Sequence, residues 1–275
     1  MNSAPLYDMH NHSFHSHDGH SDIKELCEKA FEMGLAGFAV TDHFDNEWSD
    51  RPEVFSCIVD SFKDTGEKMA LYDGKLEIFR GVEVGEAIWL PENATRMIGM
   101  CDFDLVLGSI HYVRYKGHET PYSLIDFSHI LEEDVRGFYK LYYEELLEMA
   151  QTQDYDVLTH LTCPLRYLNG KYGYHLSPTL HGDTVDAILK TVIERGKALE
   201  VNSSCVNTGY DELMPTKEIL ERYYAFGGRM VTIGSDSHVV ENFGKGLERA
   251  RSLLRQVGFK TAYYYRRRNP YAYAL

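Results

Sequence analysis

Cysteine is scarce in the chain, and its few positions exclude two kinds of site. The 275 residues include five cysteines, no two of them in a Cys-x-x-Cys pair: Cys27, Cys57, Cys101, Cys163 and Cys205. An odd, scattered set is typical of reduced thiols in a cytoplasmic protein rather than of a disulfide framework. A zinc site built from cysteine is likewise excluded, so any metal ion has to be bound by histidines and carboxylates.

Long apolar runs and an excess of positive charge are also missing. No stretch of about 18 apolar residues occurs, which excludes a transmembrane helix. The first ten residues lack a basic segment followed by an apolar one, so we expect no signal peptide. With 28 Lys and Arg against 42 Asp and Glu, the net charge of −14 argues against nucleic acid as a partner. A small phosphorylated substrate, which needs only local positive charge, stays open.

Short apolar runs alternate with longer amphipathic ones along the chain. Seven runs have the composition of buried parallel strands, at residues 4–9, 37–40, 76–84, 105–108, 156–158, 198–201 and 230–233. Helical patterns cover residues 21–34, with an N-cap at Ser21, and residues 138–151, 184–196, 212–227 and 241–258. This alternation predicts one α/β domain over residues 1–275, either a closed or incomplete barrel of seven units or a doubly wound open sheet.

Ionisable side chains follow six of the seven predicted strands. They are Asp8, His10, His12, Asp42, His43, Glu83, His111, His160, Asp236 and His238. In α/β barrels the carboxyl ends of the strands and the loops that follow them form the active site. Histidines scattered over a surface would not keep this phase with the strands, so the pattern predicts one polar site at that end of the barrel.

The first and last of these motifs share a two-residue spacing. His10 and His12 alternate along a strand, so both side chains point into the barrel mouth, where imidazoles suit divalent zinc, manganese or iron. A pair of surface histidines is the alternative. We expect Asp8 to orient one of these ligands from behind. Asp236-Ser237-His238 repeats the spacing after a glycine that relaxes the turn, although its first two residues equally fit a helix cap.

Other candidates are individually ambiguous. Asp42-His43 fits either a histidine with its carboxylate partner or a turn. Glu83 lies inside a predicted buried strand, where a carboxylate is costly unless it is paired or metal-bound, whereas we expect Glu86 to be solvated. His111 and His160 each fit an ordinary hydrogen-bonding histidine, and only their phase with the other strand ends favours a site.

Arginines at two places in the chain could contact an anionic ligand. Arg166 lies six residues after His160, so we expect it to overhang the same site and to bind phosphate in a bidentate geometry. An ordinary surface arginine is the alternative. Arg266-Arg267-Arg268 near the C-terminus is expected to be a solvated end rather than an RNA contact.

These motifs resemble those of the polymerase and histidinol phosphatase (PHP) superfamily, over residues 8 to about 270. The matching motifs are Asp-x-His-x-His at 8–12, Thr-Asp-His at 41–43, Glu83, Gly-Ser-Ile-His at 108–111, His160 and Ser-Asp-Ser-His at 235–238. Residues 103–112, 142–166 and 258–270 resemble the histidinol-phosphate phosphatases in particular. The resemblance implies a distorted (β/α)7 TIM-like barrel that hydrolyses L-histidinol phosphate to L-histidinol and phosphate in histidine biosynthesis.

The resemblance also implies up to three divalent ions, of zinc, manganese or iron. By motif position the ligand sets are His10, His12, Glu83 and Asp236 for one ion, Glu83, His111 and His160 for a second, and Asp18, His43 and His238 for the third. Asp18 stands six residues after His12, where the family places its next ligand, and His17 is the fallback. Arg166 matches an arginine that contacts the substrate phosphate.

One departure from the family bears on the substrate. After the sixth predicted strand these phosphatases often read Asn-Thr-Ser-Gly-Leu-Arg, whereas this chain has Asn207 where the arginine is expected. Metal-assisted phosphomonoester hydrolysis is still implied, with Asp42, His43 or a metal-bound water protonating the leaving group. The alternatives are a related phosphatase for another small phosphate ester and a catalytically silent metal-binding module, although no ligand position is missing.

Overall fold

Eight short parallel strands form a curved sheet in a computed structural model that describes residues 4–116 and 120–275. They are β1 (Tyr7–Asp8), β2 (Gly37–Val40), β3 (His43–Asp45), β4 (Glu77–Gly85), β5 (Leu105–Ser109), β6 (Val157–Leu158), β7 (Ala198–Asn202) and β8 (Val231–Gly234). Their order is β1-β2-β4-β5-β6-β7-β8, and β3 pairs with the second half of β4. Each of the seven predicted runs therefore contains a strand, and β3 is an addition.

The sheet closes into a barrel between its first and last strands. The backbone N–H of Met9 donates to the carbonyl of Ile233 at 2.8 Å, and Asn11 forms a parallel bridge with Ser237. The barrel prediction is therefore confirmed, and the open doubly wound sheet is wrong. Strand residues such as Phe38, Val82 and Leu105 are completely buried, because helices cover the outside of a parallel sheet.

Eight α-helices within residues 4–116 and 120–275 surround the barrel. They are α1 (Ile23–Met33), α2 (Pro52–Leu71), α3 (Pro91–Ile98), α4 (Glu132–Thr152), α5 (Pro164–Leu168), α6 (Gly182–Glu194), α7 (Lys217–Ala225) and α8 (Leu247–Val257). The N-cap of α1 is Asp22 rather than Ser21, because the Asp22 carboxylate accepts from Lys24 N at 2.7 Å while Glu25 accepts from Asp22 N. This is a capping box. None of the helices among the described residues could cross a membrane, and all five cysteines are free.

A C-terminal hairpin covers the end of the barrel where the strands begin. It consists of β9 (Thr261–Arg266) and β10 (Asn269–Ala274). Tyr264 stacks on Tyr7 with ring centroids 4.5 Å apart, and the guanidinium of Arg268 lies 2.7 Å from Asp154 and 2.8 Å from Asp156. The expectation of a solvated end is therefore wrong for Arg268, which holds the hairpin against the barrel.

Candidate metal centre

Glu83 is the centre of a buried cluster of histidines at the carboxyl ends of the strands. Its side chain is fully buried in β4. The Oε2 atom lies 3.0 Å from His43 Nδ1, 3.3 Å from His10 Nε2 and 3.5 Å from His12 Nε2. The Oε1 atom lies 2.9 Å from His160 Nε2 and 3.4 Å from His111 Nε2. The two oxygens of one carboxylate thus face two separate groups of imidazoles.

Several of these close contacts lack hydrogen-bond geometry. Glu83 Oε2 and His43 Nδ1 are 3.0 Å apart, yet neither atom has a hydrogen-bond partner. Buried polar atoms are almost always hydrogen-bonded, so orphaned atoms that converge on one point need another partner. The His10, His12 and Glu83 ligand atoms lie within 4.8 Å of one another, as do those of His43, Glu83 and His111. The donor set, imidazole nitrogens and carboxylate oxygens, suits divalent transition metals.

Asp236 joins the first group from the loop after β8. Its Oδ1 atom lies 3.3 Å from His12 Nε2 and 3.6 Å from His10 Nε2, and Asn202 donates to its Oδ2 atom at 3.2 Å. The backbone of Asp236 has φ of +51°, which aims the side chain into the barrel mouth. Neither Asp236 nor Ser237 caps a helix, because the short 3-10 turn that follows begins after Val239 and receives no side-chain cap.

A third group lies at the edge of the cluster. Asp18 places Oδ2 at 3.2 Å from His238 Nε2 and Oδ1 at 3.7 Å from His43 Nε2, and the two imidazoles are 3.4 Å apart. Asp18 Oδ1 is buried without a hydrogen-bond partner. His17 is about half exposed, and its ring nitrogens lie 3.9 Å from Asp18 and 3.8 Å from Asp45. The structure therefore brings Asp18, and not His17, between the two histidines.

The Nδ1 atoms of three histidines contact residues that the sequence did not predict. Glu200 Oε1 lies 2.6 Å from His10 Nδ1, and Glu200 Oε2 accepts from the backbone N–H of His160 at 2.8 Å. Asp45 lies 3.2 Å from His111 Nδ1, and Ser16 Oγ lies 3.2 Å from His12 Nδ1. Such contacts fix the tautomer and orientation of a metal-binding imidazole.

Glycines make two of these contacts possible. A Cβ atom on Gly234 would lie 2.5 Å from both Glu200 Oε1 and His10 Cβ, and one on Gly85 would lie 2.6 Å from Asp45 Oδ1. Gly234, at the end of β8, is therefore required by the close approach of Glu200 and His10, rather than by the turn that the sequence suggested. The signal for Glu200 was available, since a carboxylate in a buried strand is costly unless it is paired.

Asp8 and Asp42 have structural roles that differ from those expected. Among the described residues, the Asp8 carboxylate pairs with no imidazole nitrogen, although it accepts from the backbone of His10. It accepts from the backbone N–H and the hydroxyl of Ser235 at 2.8 and 2.5 Å, and burial raises its pKa to about 6. Asp42 accepts from Ser13 and Ser16 at 2.6 to 2.8 Å and from Ser61 at 2.5 Å. Both carboxylates fasten the loops that carry the histidines, because serine donors occupy their oxygens.

Glu86 is not solvated as expected. It is completely buried, with φ of +47°. Its carboxylate accepts from the backbone N–H groups of His111 and Tyr112, and burial raises its pKa to about 8. Glu86 therefore fixes the start of the loop after β5, next to His111.

The charges of the cluster shift one another's pKa values. Burial raises the pKa of Glu83, but His10, His111 and His43 outweigh it and hold this pKa well below its usual range. Burial lowers the pKa of His43, but Glu83 and Asp45 outweigh it and raise the pKa to about 9. His12 is shifted the other way, because burial, with His43 and His238 beside it, lowers its pKa to about 3. In the metal-free chain, the raised pKa values of His10, His43 and His111 favour their protonated forms, which balance the buried carboxylates.

A cavity of about 610 Å³ opens over the cluster. Arg166, on α5, lines it together with Asp18, His17, His43, His111, His160, Asp236 and His238. Trp48, Tyr112 and Tyr122 supply aromatic lining. The structure thus places Arg166 beside the cluster, as expected. Asn207, by contrast, is exposed and does not line the cavity.

Known proteins are similar to this chain in sequence. The family model of the PHP domain matches residues 8–204. A probable histidinol-phosphatase of Thermotoga maritima is 29% identical over 93% of this chain and 94% of its own length. A histidinol-phosphatase of Lactococcus lactis is 25% identical over 92% of this chain and 91% of its own length.

Solved structures share the fold. The histidinol phosphate phosphatase of Lactococcus lactis, complexed with zinc, L-histidinol and phosphate, superposes with a TM-score of 0.80 at 21% identity, covering 98% of this chain and 100% of its own. A putative histidinol phosphatase of Listeria monocytogenes gives a TM-score of 0.75 at 19% identity, covering 88% and 99%. Because the PHP domain model matches residues 8–204, most of the chain, and the solved structures share its barrel, the chain belongs to the PHP domain family.

Proposed function

We propose that this chain is a metal-dependent phosphomonoesterase that hydrolyses L-histidinol phosphate to L-histidinol and phosphate. One observation carries the proposal: the two oxygens of buried Glu83 face two separate groups of imidazoles, at 2.9 to 3.5 Å. A carboxylate in this position can bridge two metal ions, as in phosphatases with two-metal sites. The names of the relatives support histidinol phosphate as the substrate.

The geometry supports a ligand set for each of three ions. The sets are His10, His12, Glu83 and Asp236 for the first, Glu83, His111 and His160 for the second, and Asp18, His43 and His238 for the third. Zinc, manganese and iron in their divalent states all accept such ligands. The zinc in the Lactococcus lactis structure supports zinc as one occupant.

The residues around the cluster have separate roles in the proposed reaction. Divalent ions supply positive charge and lower the pKa of a coordinated water from 15.7 to about 7. Arg166 binds the phosphoryl oxygens from the cavity wall with a forked pair of donors. His17 lines the cavity, whereas Asp8 and Asp42 are bonded to serines. His43 lines the same cavity, so His17, His43 or a metal-bound water would exchange a proton with the leaving group.

A related phosphatase that acts on another small phosphate ester is the second candidate. The observation that favours it is the exposed Asn207, which stands where an arginine was expected and lies outside the cavity lining. A catalytically silent module is not favoured, because the structure brings together all nine side chains proposed as ligands.

We also propose that residues 1–275 form one catalytic domain, because the barrel and the hairpin share a continuous hydrophobic core. A cytoplasmic location stays a prediction from the cysteines.

The test is release of phosphate from L-histidinol phosphate by metal-loaded protein. Glu83→Gln and His160→Ala should each lower kcat/KM by about a thousandfold or more, because electrostatic stabilisation of the transition state is lost. Glu32→Gln, which changes an exposed carboxylate on α1, is the matched control. Unchanged turnover in both site variants would contradict the metal-bridge assignment. Turnover of phosphotyrosine in place of L-histidinol phosphate would retain the chemistry and replace the substrate.

A further inference from the structure

The cavity over the metal centre contains a second cation besides Arg166. Among the described residues, the lysines and arginines that line the cavity are Arg166 and Lys245. Neither is paired with a carboxylate within 4.0 Å among the residues that the structure describes, although Asp236 is near enough to Arg166 to interact with its charge. Because cations that line a cleft attract ligands of opposite charge, two cations without a salt bridge in one cavity indicate a site for an anion.

The two cations lie on either side of the loop that lacks the expected arginine. Arg166 follows β6 and Lys245 follows β8, whereas Asn207 follows β7, which lies between these strands in the sheet. Asn207 is turned out of the cavity, because its backbone N–H donates to Asp211 at 2.8 Å and its φ is +59°. If an arginine stood at position 207 with this backbone conformation, its Cα and Cβ atoms would lie outside the cavity lining.

The backbone that carries Lys245 is fastened to the ends of β7 and β8. The hydroxyl of Ser203 donates to the carbonyl of Lys245 at 2.6 Å, and Gly244 N donates to Ser235 Oγ at 3.1 Å. Gly246 adopts φ of +79°, and a Cβ atom there would lie 2.8 Å from the Cβ of Ser203. Side chains at functional sites act with precision when their backbone is held in this way.

We propose that Lys245 is a phosphate-binding residue of this site and takes the role that an arginine after β7 would otherwise have. The inference rests on the proposed function, since it takes the ligand to be a phosphate ester. Arg166 approaches the phosphoryl oxygens from the β6 side and Lys245 from the β8 side. Lysine is a compact point charge on a flexible stem, whereas arginine is a planar fork. The exchange therefore retains attraction for phosphate but relaxes the demand on its orientation.

Binding of inorganic phosphate to the metal-loaded protein tests this inference separately from catalysis. Lys245→Gln should weaken phosphate binding by about tenfold, which corresponds to about 1.4 kcal/mol. Lys245→Arg should recover most of the affinity, because the charge is retained. Lys260→Gln removes one positive charge from an exposed position outside the cavity lining and should leave phosphate binding unchanged. In turnover experiments, we expect the effect of Lys245→Gln mainly in KM.

Each outcome separates the two proposals. If the wild-type chain hydrolyses L-histidinol phosphate and Lys245→Gln binds phosphate as tightly as the wild type, the role of Lys245 is wrong and the proposed function stands. If the wild-type chain does not hydrolyse this ester but Lys245→Gln still weakens phosphate binding, the substrate is wrong and the role of Lys245 stands. If Lys245→Gln and Lys260→Gln weaken phosphate binding equally, the effect comes from the net charge of the protein, and the inference is overturned.

Discussion

Glu200 and His10 are 190 residues apart in the chain, yet Glu200 Oε1 lies 2.6 Å from His10 Nδ1. Both side chains are buried, and the second oxygen of Glu200 accepts from the backbone N–H of His160. One carboxylate on β7 therefore orients a histidine that follows β1 and fixes the loop that carries another after β6. It also keeps the proton of His10 on Nδ1, so that Nε2 faces Glu83.

Replacing Glu200 should therefore weaken metal binding without unfolding the chain. We expect Glu200→Gln to reduce zinc affinity by about 10- to 100-fold, the range typical of carboxylates that support a metal-binding histidine. Competition with a chromophoric chelator measures this loss. Glu194→Gln, which alters an exposed carboxylate on α6, is the control, and equal zinc affinities in the two variants would show that Glu200 does not act on the site.

Gly234 provides a steric test of the same contact. Gly234→Ala introduces a Cβ atom 2.5 Å from Glu200 Oε1 and His10 Cβ, so the two side chains have to separate. We expect a loss of about 1–3 kcal/mol in the free energy of unfolding, as for other overpacked cores, together with weaker zinc binding. Gly137→Ala, on α4 with no atom within 4 Å of the new Cβ, should instead stabilise the chain by about 0.5–1 kcal/mol. Chemical denaturation of both variants measures these changes. An unchanged free energy of unfolding in Gly234→Ala would contradict the close packing of Gly234 against Glu200 and His10.

The sequence predicted the barrel and the residues at its carboxyl end because both depend on local periodicity. Each strand is a short apolar run, and the side chain that follows it has to lie at the same end of the barrel. The presence of Glu83 at this end follows from such local information. The pairing of its two oxygens with different histidines does not, because it depends on how the segments that follow β1, β2, β5 and β6 pack together.

What the sequence analysis missed depends on contacts between distant residues. Asp45 is paired with His111, 66 residues away, and ends a three-residue strand without a clear pattern. The helix α2 was missed because its buried face includes Ser61 and Thr65, which interrupt an apolar stripe. Ser61 is buried because its hydroxyl donates to Asp42. Arg268 looked solvated because its partners, Asp154 and Asp156, precede it by more than a hundred residues.

Metal binding should release protons. Burial lowers the pKa of His10, but Glu200 and Glu83 outweigh it and raise the pKa well above its usual range, and the pKa of His43 is raised to about 9. Both imidazoles therefore carry an extra proton at pH 7 in the metal-free chain. Ligation requires the neutral imidazole, so zinc affinity should rise as the pH increases from 7 through the pKa of His43 at about 9.

Calorimetry in two buffers of different ionisation enthalpy measures this proton release. At pH 7 the apparent heat of zinc binding should differ between the buffers in proportion to the protons released. Glu83→Gln should release fewer, because this carboxylate helps to raise the pKa of both His10 and His43. Heats that do not depend on the buffer would show that the histidines are already neutral before the metal binds.

The contact of Arg268 with Asp154 and Asp156 should stabilise the fold in a pH-dependent way. Arg268 holds the pKa of Asp154 below its usual 3.8, so this contribution is complete above pH 3.8 and is lost as the pH falls through the lower folded-state pKa. At pH 7 we expect Arg268→Ala to cost about 1–2 kcal/mol in the free energy of unfolding, since it leaves the buried Asp156 without its charged partner. Arg266→Ala, on the same hairpin, breaks an exposed pair with Glu77 and should cost less than about 1 kcal/mol. Urea denaturation at pH 7 and pH 3 compares the variants. The difference between wild type and Arg268→Ala should shrink at pH 3, and an undiminished difference would mean that Arg268 acts through packing rather than through its charge.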